Sequence, residues 1–441
     1  MKNRFDDRPD NGEDRKEGGA SSMRILIAFL LAVGAIASDA PAADGLIASP
    51  EADWPQWRGP RRDGISDEKG LLQSWPEAGP ELLWKVDDLG KGWSSPIIVG
   101  DRLYVTGDVG NDLVVFAFDL KGKERWHRKN GRAWKGPFPG ARSSCAYSQG
   151  RVYNLNAHGR LACMDGAAGE EVWAVNILER FESKNITWAL SECVLVDGPR
   201  VIVTPSGKKA LMAALDKRDG RTIWTTEPLG DDRATHCSPI FFRYGGRRVI
   251  ANCSSAHGFG VDADTGKLLW TVPLKNRFGT NISTPVYDSG RIFFVTPYTE
   301  HGRLYRLIAE KQGIAADHVW TNMSLDTVTG SGVVVDGVLF SAGYKKFKWW
   351  FGVDWQTGQT KYELKDFTTG AAIHADNRLY CLDEIGNVGL LKIEPDSLKI
   401  MGRFSLTEKR VKDAWAHPVL LDGRLYLRYH GTLFCYDVRE R

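Results

Sequence analysis

Much of what marks the common protein chemistries is missing from this 441-residue sequence. Net charge is only +3 and no basic block occurs, so the concentrated cationic face that nucleic acid needs is absent. Seven cysteines, Cys145, Cys163, Cys193, Cys237, Cys253, Cys381 and Cys435, are scattered without a CxxC pair, which argues against zinc. Their odd number precludes complete internal pairing. Mostly buried free thiols are expected, with room for one disulfide that the sequence does not assign. Phosphate loops are lacking too: Thr204 to Lys209 is a turn with a basic tip, without the earlier glycine of a P-loop. Gly330-Ser331-Gly332 has no strand-to-helix elbow, and His236 and Cys237 are neighbours that point to opposite faces of a strand. The apolar run Ile25 to Ala37 falls short of the ~20 residues of a membrane span.

What is abundant points elsewhere. The 47 glycines and 16 tryptophans suit an all-β protein of short strands and many turns. The phrase GVDADTGKLLW, Gly260 to Trp270, reads as a strand, a tight turn and a second strand ending on an indole. Asp264-Thr265-Gly266 is expected to supply the turn, since Asp bonds its own backbone and Gly takes positive φ. The phrase recurs at Ala117–Trp126, Cys163–Trp173 and Ala214–Trp224, and with Tyr in place of Trp at Gly352–Tyr362.

Each such hairpin closes a larger unit. Units open near Ser94, Ser143, Ser191, Cys237, Ser283, Gly330, Gly370 and Ala416. A spacing of roughly 40 to 50 residues is that of a four-stranded propeller blade. The eighth unit ends before its outermost strand, whereas Glu81 to Val86 is an orphan Trp strand ahead of the first. The expected fold is an all-β, eight-bladed propeller of four-stranded antiparallel blades, in which the N-terminal strand completes the last blade and closes the ring.

Four regions follow. Residues 1–22 are polar and expected to be disordered. Residues 23–43 read as a signal peptide, with Met1 or Met23 as the start. Export to a periplasm or the exterior is therefore expected, with no span in the mature chain. Residues 44–80 form an irregular segment packed on the propeller of 81–441. Its stretch Asp53 to Ser66 is a ligand-contacting loop or a plug; as a plug, its Trp rings pack on the propeller and Arg58 pairs with a carboxylate.

The Asp-x-x-Thr-Gly-x-x-x-Trp phrase resembles the tryptophan-docking repeat of the pyrroloquinoline quinone (PQQ) dehydrogenases and of the outer-membrane assembly propeller lipoprotein. The resemblance covers nearly all of residues 54–438, and in that family the indoles staple neighbouring blades. Around the axis it places Trp93, Arg142, Trp188, His236, Trp415 and His417, a ring able to stack on a quinone and pair with its carboxylates. It implies Glu192 and Asn281 as calcium ligands and Asp326 as the base that takes an alcohol proton. However, no two cysteines are adjacent, unlike the vicinal pair of those dehydrogenases, and the blades are compact. The leading expectation is thus a binding or interaction scaffold without catalysis or cofactor, holding a small ligand or an envelope protein on its channel face. A dehydrogenase using PQQ and Ca2+, or a cell-envelope assembly factor, is the alternative.

Overall fold

The computed structural model describes residues 43–298 and 301–440. The expected disordered extension, and all but the last residue of the expected leader, lie outside these. The described chain forms eight four-stranded antiparallel sheets, one of which gains an extra short strand. The one helix among the described residues is Ile177–Arg180. Numbered from the first opening, the blades span 97–132, 146–176, 195–225, 240–273, 286–322, 333–364 and 370–405. The eighth joins 419–437 to Glu81–Val86.

That last pairing closes the ring. Glu81–Val86 runs antiparallel to Thr432–Asp437, from Glu81 opposite Asp437 to Val86 opposite Leu433. The middle strands of the blades are buried on both faces, as in Asp112–Asp119. The outermost strands alternate. In Thr222–Thr225 only Trp224 is buried, so its indole faces the neighbouring blade.

Such indoles staple the ring. Trp84, Trp126, Trp173, Trp224 and Trp320 donate their Nε1–H to Leu120, Gly166, Lys217, Ala263 and Trp355, at 2.9–3.1 Å. Each acceptor is a carbonyl in the outer hairpin of the next blade. The turn register differs by two residues from expectation. Asp262, not Asp264, caps it, its Oδ1 accepting from the amides of Asp264 and Thr265. Asp264 instead meets Arg200 and Arg248. Gly266 has φ 75°, and a Cβ there would lie 2.5 Å from Trp224 Cε3. The turn glycine therefore also provides the bare surface on which the preceding blade's indole lies. Blade 5 lacks the phrase, and Trp270 Nε1, which faces that blade, has no partner among the described residues.

Segment 44–80 crosses the axis. Gly45–Leu46 pairs as a short strand with Arg243 and Phe242 of blade 4. Trp54 bridges Ile98 of blade 1, and Pro55 accepts from the Tyr147 amide of blade 2. Gly64 and Ser66 bond to His374 of blade 7, and Leu72 bonds to Val438 of blade 8. Arg58 and Arg62 hold the middle and are almost completely buried. Arg58 pairs with no carboxylate, contrary to expectation. It donates to the carbonyls of Ser331 and Gly332 in blade 6, at 3.3 and 2.8 Å, and to those of Arg62 and Asp63. Arg62 reaches the carbonyls of Cys193 and Val194 in blade 3. Inner-strand ends present several carbonyls at once, and the guanidinium fork meets them with several donors. All seven cysteines are buried free thiols, so none of them forms the disulfide left open above.

Gly266→Ala tests the staple. It forces a Cβ into the Trp224 ring at a strained φ and is expected to destabilise the protein by about 1–3 kcal/mol, read by chemical denaturation. A change within 0.5 kcal/mol, the usual range of a surface substitution, contradicts the close contact.

Candidate functional site

The plug turns the axial channel into a cup. The cavity holds about 410 Å3. Trp57 of the plug lines it, edge-on to His417 with ring centroids 4.9 Å apart. Arg58 and Arg62 sit against the same indole, their guanidinium carbons 5.7 and 5.9 Å from its centroid.

Strand alternation selects the wall. Ser191 and Cys193 line the cup, and Glu192 between them does not. His236 and Ser238 line it around Cys237, Thr280 and Ile282 around Asn281, and Trp415 and His417 around Ala416. At these four openings, residues i and i+2 face the axis and i+1 faces the blade. Of the expected ring, Trp93, Arg142, Trp188, His236, Trp415 and His417 all reach the cavity.

The three residues expected for catalysis and metal do not line it. Glu192 turns into the blade, where it accepts from the Thr204 amide and hydroxyl at 2.9 and 2.7 Å. Burial pushes its carboxyl up to about 7 against those two bonds. Asn281 donates to the Ser254 and Leu274 carbonyls. Asp326 accepts from the amides of Tyr344 and Lys345, at 2.6 and 3.0 Å, and so shapes the loop that presents both residues to the cup.

The walls are aromatic. On one side Trp93 and Trp415 lie 4.9 Å apart, Phe138 is 5.4 Å from Trp415, and Arg142 packs 5.5 Å from Trp93. On the other, Trp188, Phe278, Tyr298 and Tyr344 form an edge-to-face chain. Ser191 Oγ and His236 Nδ1 are 2.8 Å apart. Burial lowers His236 to about 3, helped by the charge of Arg142, and lowers His417 well below its ordinary value, helped by Arg58. Both imidazoles are therefore neutral at pH 7. Arg142 falls to about 10 through burial and remains a cation.

Calcium does not fit this donor set. Hard cations take several oxygens and usually a carboxylate; the described lining offers hydroxyls only, with Glu192 and Asn281 engaged elsewhere. No group of His, Cys, Asp or Glu suited to a metal occurs among the described residues. Sequence reasoning missed Phe138, Ser191, Phe278, Tyr298 and Tyr344 as wall residues. Alternation from Cys193 was signal enough for Ser191; the others sit on irregular loops without periodicity.

Neutral burial of the two imidazoles makes stability acid-sensitive. Each folded-state value lies below the unfolded one near 6.5, so the stabilisation is complete above pH 6.5 and is lost as pH falls toward 3. His236→Asn is expected to shed at most about 1.4 kcal/mol of that loss per pH unit below 6. Denaturation curves of both proteins from pH 7 to 4 check this. Parallel curves contradict neutral burial.

Comparison with known proteins agrees with this architecture. The profile of the PQQ_2 family, described as outer membrane protein assembly factor BamB, matches residues 111–360. A curated relative, outer membrane protein assembly factor BamB of Yersinia pestis, is 23% identical over 254 residues. The match covers 55% of this chain and 61% of the relative, so the chain spans less than two thirds of that protein's length. Among solved structures, BamB of Moraxella catarrhalis aligns with TM-score 0.59 and 14% identity, over 81% of this chain and 99% of its own. The quinohemoprotein alcohol dehydrogenase of Comamonas testosteroni aligns with TM-score 0.61 and 14% identity, over 88% and 80%. At such identity the two structures bear on fold alone. With more than half of its residues matched, the chain belongs to the PQQ_2 family, that of outer membrane protein assembly factor BamB.

Proposed function

We propose that this protein is a binding propeller that works through its cup and catalyses no reaction there. One observation carries the reading: a cavity of about 410 Å3, with Trp57 of the plug in its wall, whose described lining is aromatic, hydroxylic and cationic, without a carboxylate. Small-molecule sites fall in the range of ~300–1,000 Å3 and pair apolar walls with a few placed polar groups. Alcohol oxidation needs a base in reach of the substrate hydroxyl. Asp326 is held behind the wall by two amides, and the neutral imidazoles are weak bases. The apolar run near the N-terminus supports an exported protein that meets its ligand outside the cytoplasm.

A second reading, an assembly factor of the cell envelope, is favoured by the family match and by the apolar side chains around the mouth. Phe138 and Phe278 line the cavity and are 46% and 41% exposed. Under that reading the cup receives a side chain of a partner protein.

Ligand-observed NMR with a fragment library against the full chain tests the cup. Ser191→Trp, which fills it, is expected to weaken the hits at least tenfold. The protein mixed with PQQ and Ca2+ is expected to show no dye-linked alcohol oxidation above the cofactor-free rate. Hits indifferent to Ser191→Trp, or oxidation lost in Asp326→Asn, contradict the reading.

A further inference from the structure

The cup holds buried polar groups with no protein partner. His417 is 3% exposed and Ser331 is 6% exposed, and both line the cavity. Among the described residues, His417 Nδ1 and Ser331 Oγ make no hydrogen bond. Leaving such groups dry and unpaired is unfavourable; both atoms are shielded as the side chains stand, and a ligand hydroxyl gains by meeting them once the Ser331 hydroxyl or the His417 ring turns toward the cavity. Beside them, the contact of Ser191 with His236 Nδ1 fixes that neutral ring.

The charged side chains that line the cup are cations, with Asp108, Asp326 and Glu384 behind its wall. Arg142 and Lys345 line it and no carboxylate does. Arg142 donates to the carbonyls of Gly140 and Phe138 and makes no ion pair among the described residues. Beneath the floor, Arg58 and Arg62 are likewise bonded to carbonyls and one amide oxygen. Arg142 and Lys345 thus reach the cavity directly, while the charges of Arg58 and Arg62 beneath it are offset in part by the carboxylates behind the wall.

Two aromatic walls, neutral hydrogen-bonding groups and this positive field call for a ring that stacks, carries hydroxyls and bears negative charge. We propose that the cup recognises an acidic sugar, a pyranose ring bearing a carboxylate or a sulfate. The C–H face of the ring packs on the indoles of Trp93 or Trp188. Its hydroxyls meet His417 and Ser331, and the oxyanion lies against Arg142. An aromatic acid satisfies the walls and the arginine but leaves the polar floor unpaired. This inference rests on the cup being a binding site.

The test is calorimetric titration of the full chain with galacturonate, glucose 6-sulfate, methyl glucoside and benzoate. At least one acidic sugar is expected to bind ten times more tightly than methyl glucoside or benzoate, and the two acidic arms decide between carboxylate and sulfate. Arg142→Gln is expected to lower that affinity about tenfold and to weaken methyl glucoside binding by much less. Lys345→Gln, an exposed change that spares folding, lowers it in the same direction. Equal binding of neutral and acidic sugars, tighter binding of benzoate, or an acidic preference that survives both substitutions overturns the proposal. If none of the four binds while NMR fragments still occupy the cup, the sugar assignment alone falls. If the fragments fail as well, both readings fall together.

Discussion

An eight-bladed ring leaves its axis open, and the carbonyl ends of the inner strands need partners there. Arg58 and Arg62 meet that constraint. Their guanidinium groups link carbonyls of blades 3 and 6 to the backbone of the plug itself. Everything distinctive about the site depends on this. The plug closes one end of the channel, places Trp57 on the cavity, and leaves two buried charges below it. Desolvation lowers both arginines to about 10, so they stay charged at neutral pH. Burial, helped by the charge of Arg58, keeps His417 neutral.

The outer rim meets a different constraint, the joining of one blade to the next. There an indole lies on a turn glycine and donates to a carbonyl of the same hairpin, as Trp224 does on Gly266 and to Ala263. The clasp strand Glu81–Val86 carries its own staple, Trp84 to Leu120, so ring closure uses the contact that joins the other blades. Where the phrase decays, other residues fill in. Trp75 of the N-terminal segment covers Gly402 in blade 7, whose outer strand has no tryptophan of its own.

Between these layers, period-two alternation divides the chemistry. Ser191, Glu192 and Cys193 are consecutive, yet only the middle one enters the blade, where Thr204 satisfies it. Asn281 follows the same rule. Both were legible as residues at the mouth, because the repeat marks each opening. Their direction was not legible, because a shift of one residue exchanges axis for interior. Trp93, Arg142, Trp188, His236, Trp415 and His417 fall on the axial side of that alternation or on the loops leading into it.

The sequence by itself determined blade number, strand order and the closing strand, since a repeated hairpin with a fixed indole admits one way to bury its outer face and pair its edges. Tertiary structure alone decided that Arg58 ends on carbonyls and that Glu192, Asn281 and Asp326 stand outside the cup. Those outcomes depend on groups far apart in the chain meeting at the axis. Local pattern describes a strand's period, but which carbonyl a buried guanidinium reaches is set by the whole ring around it.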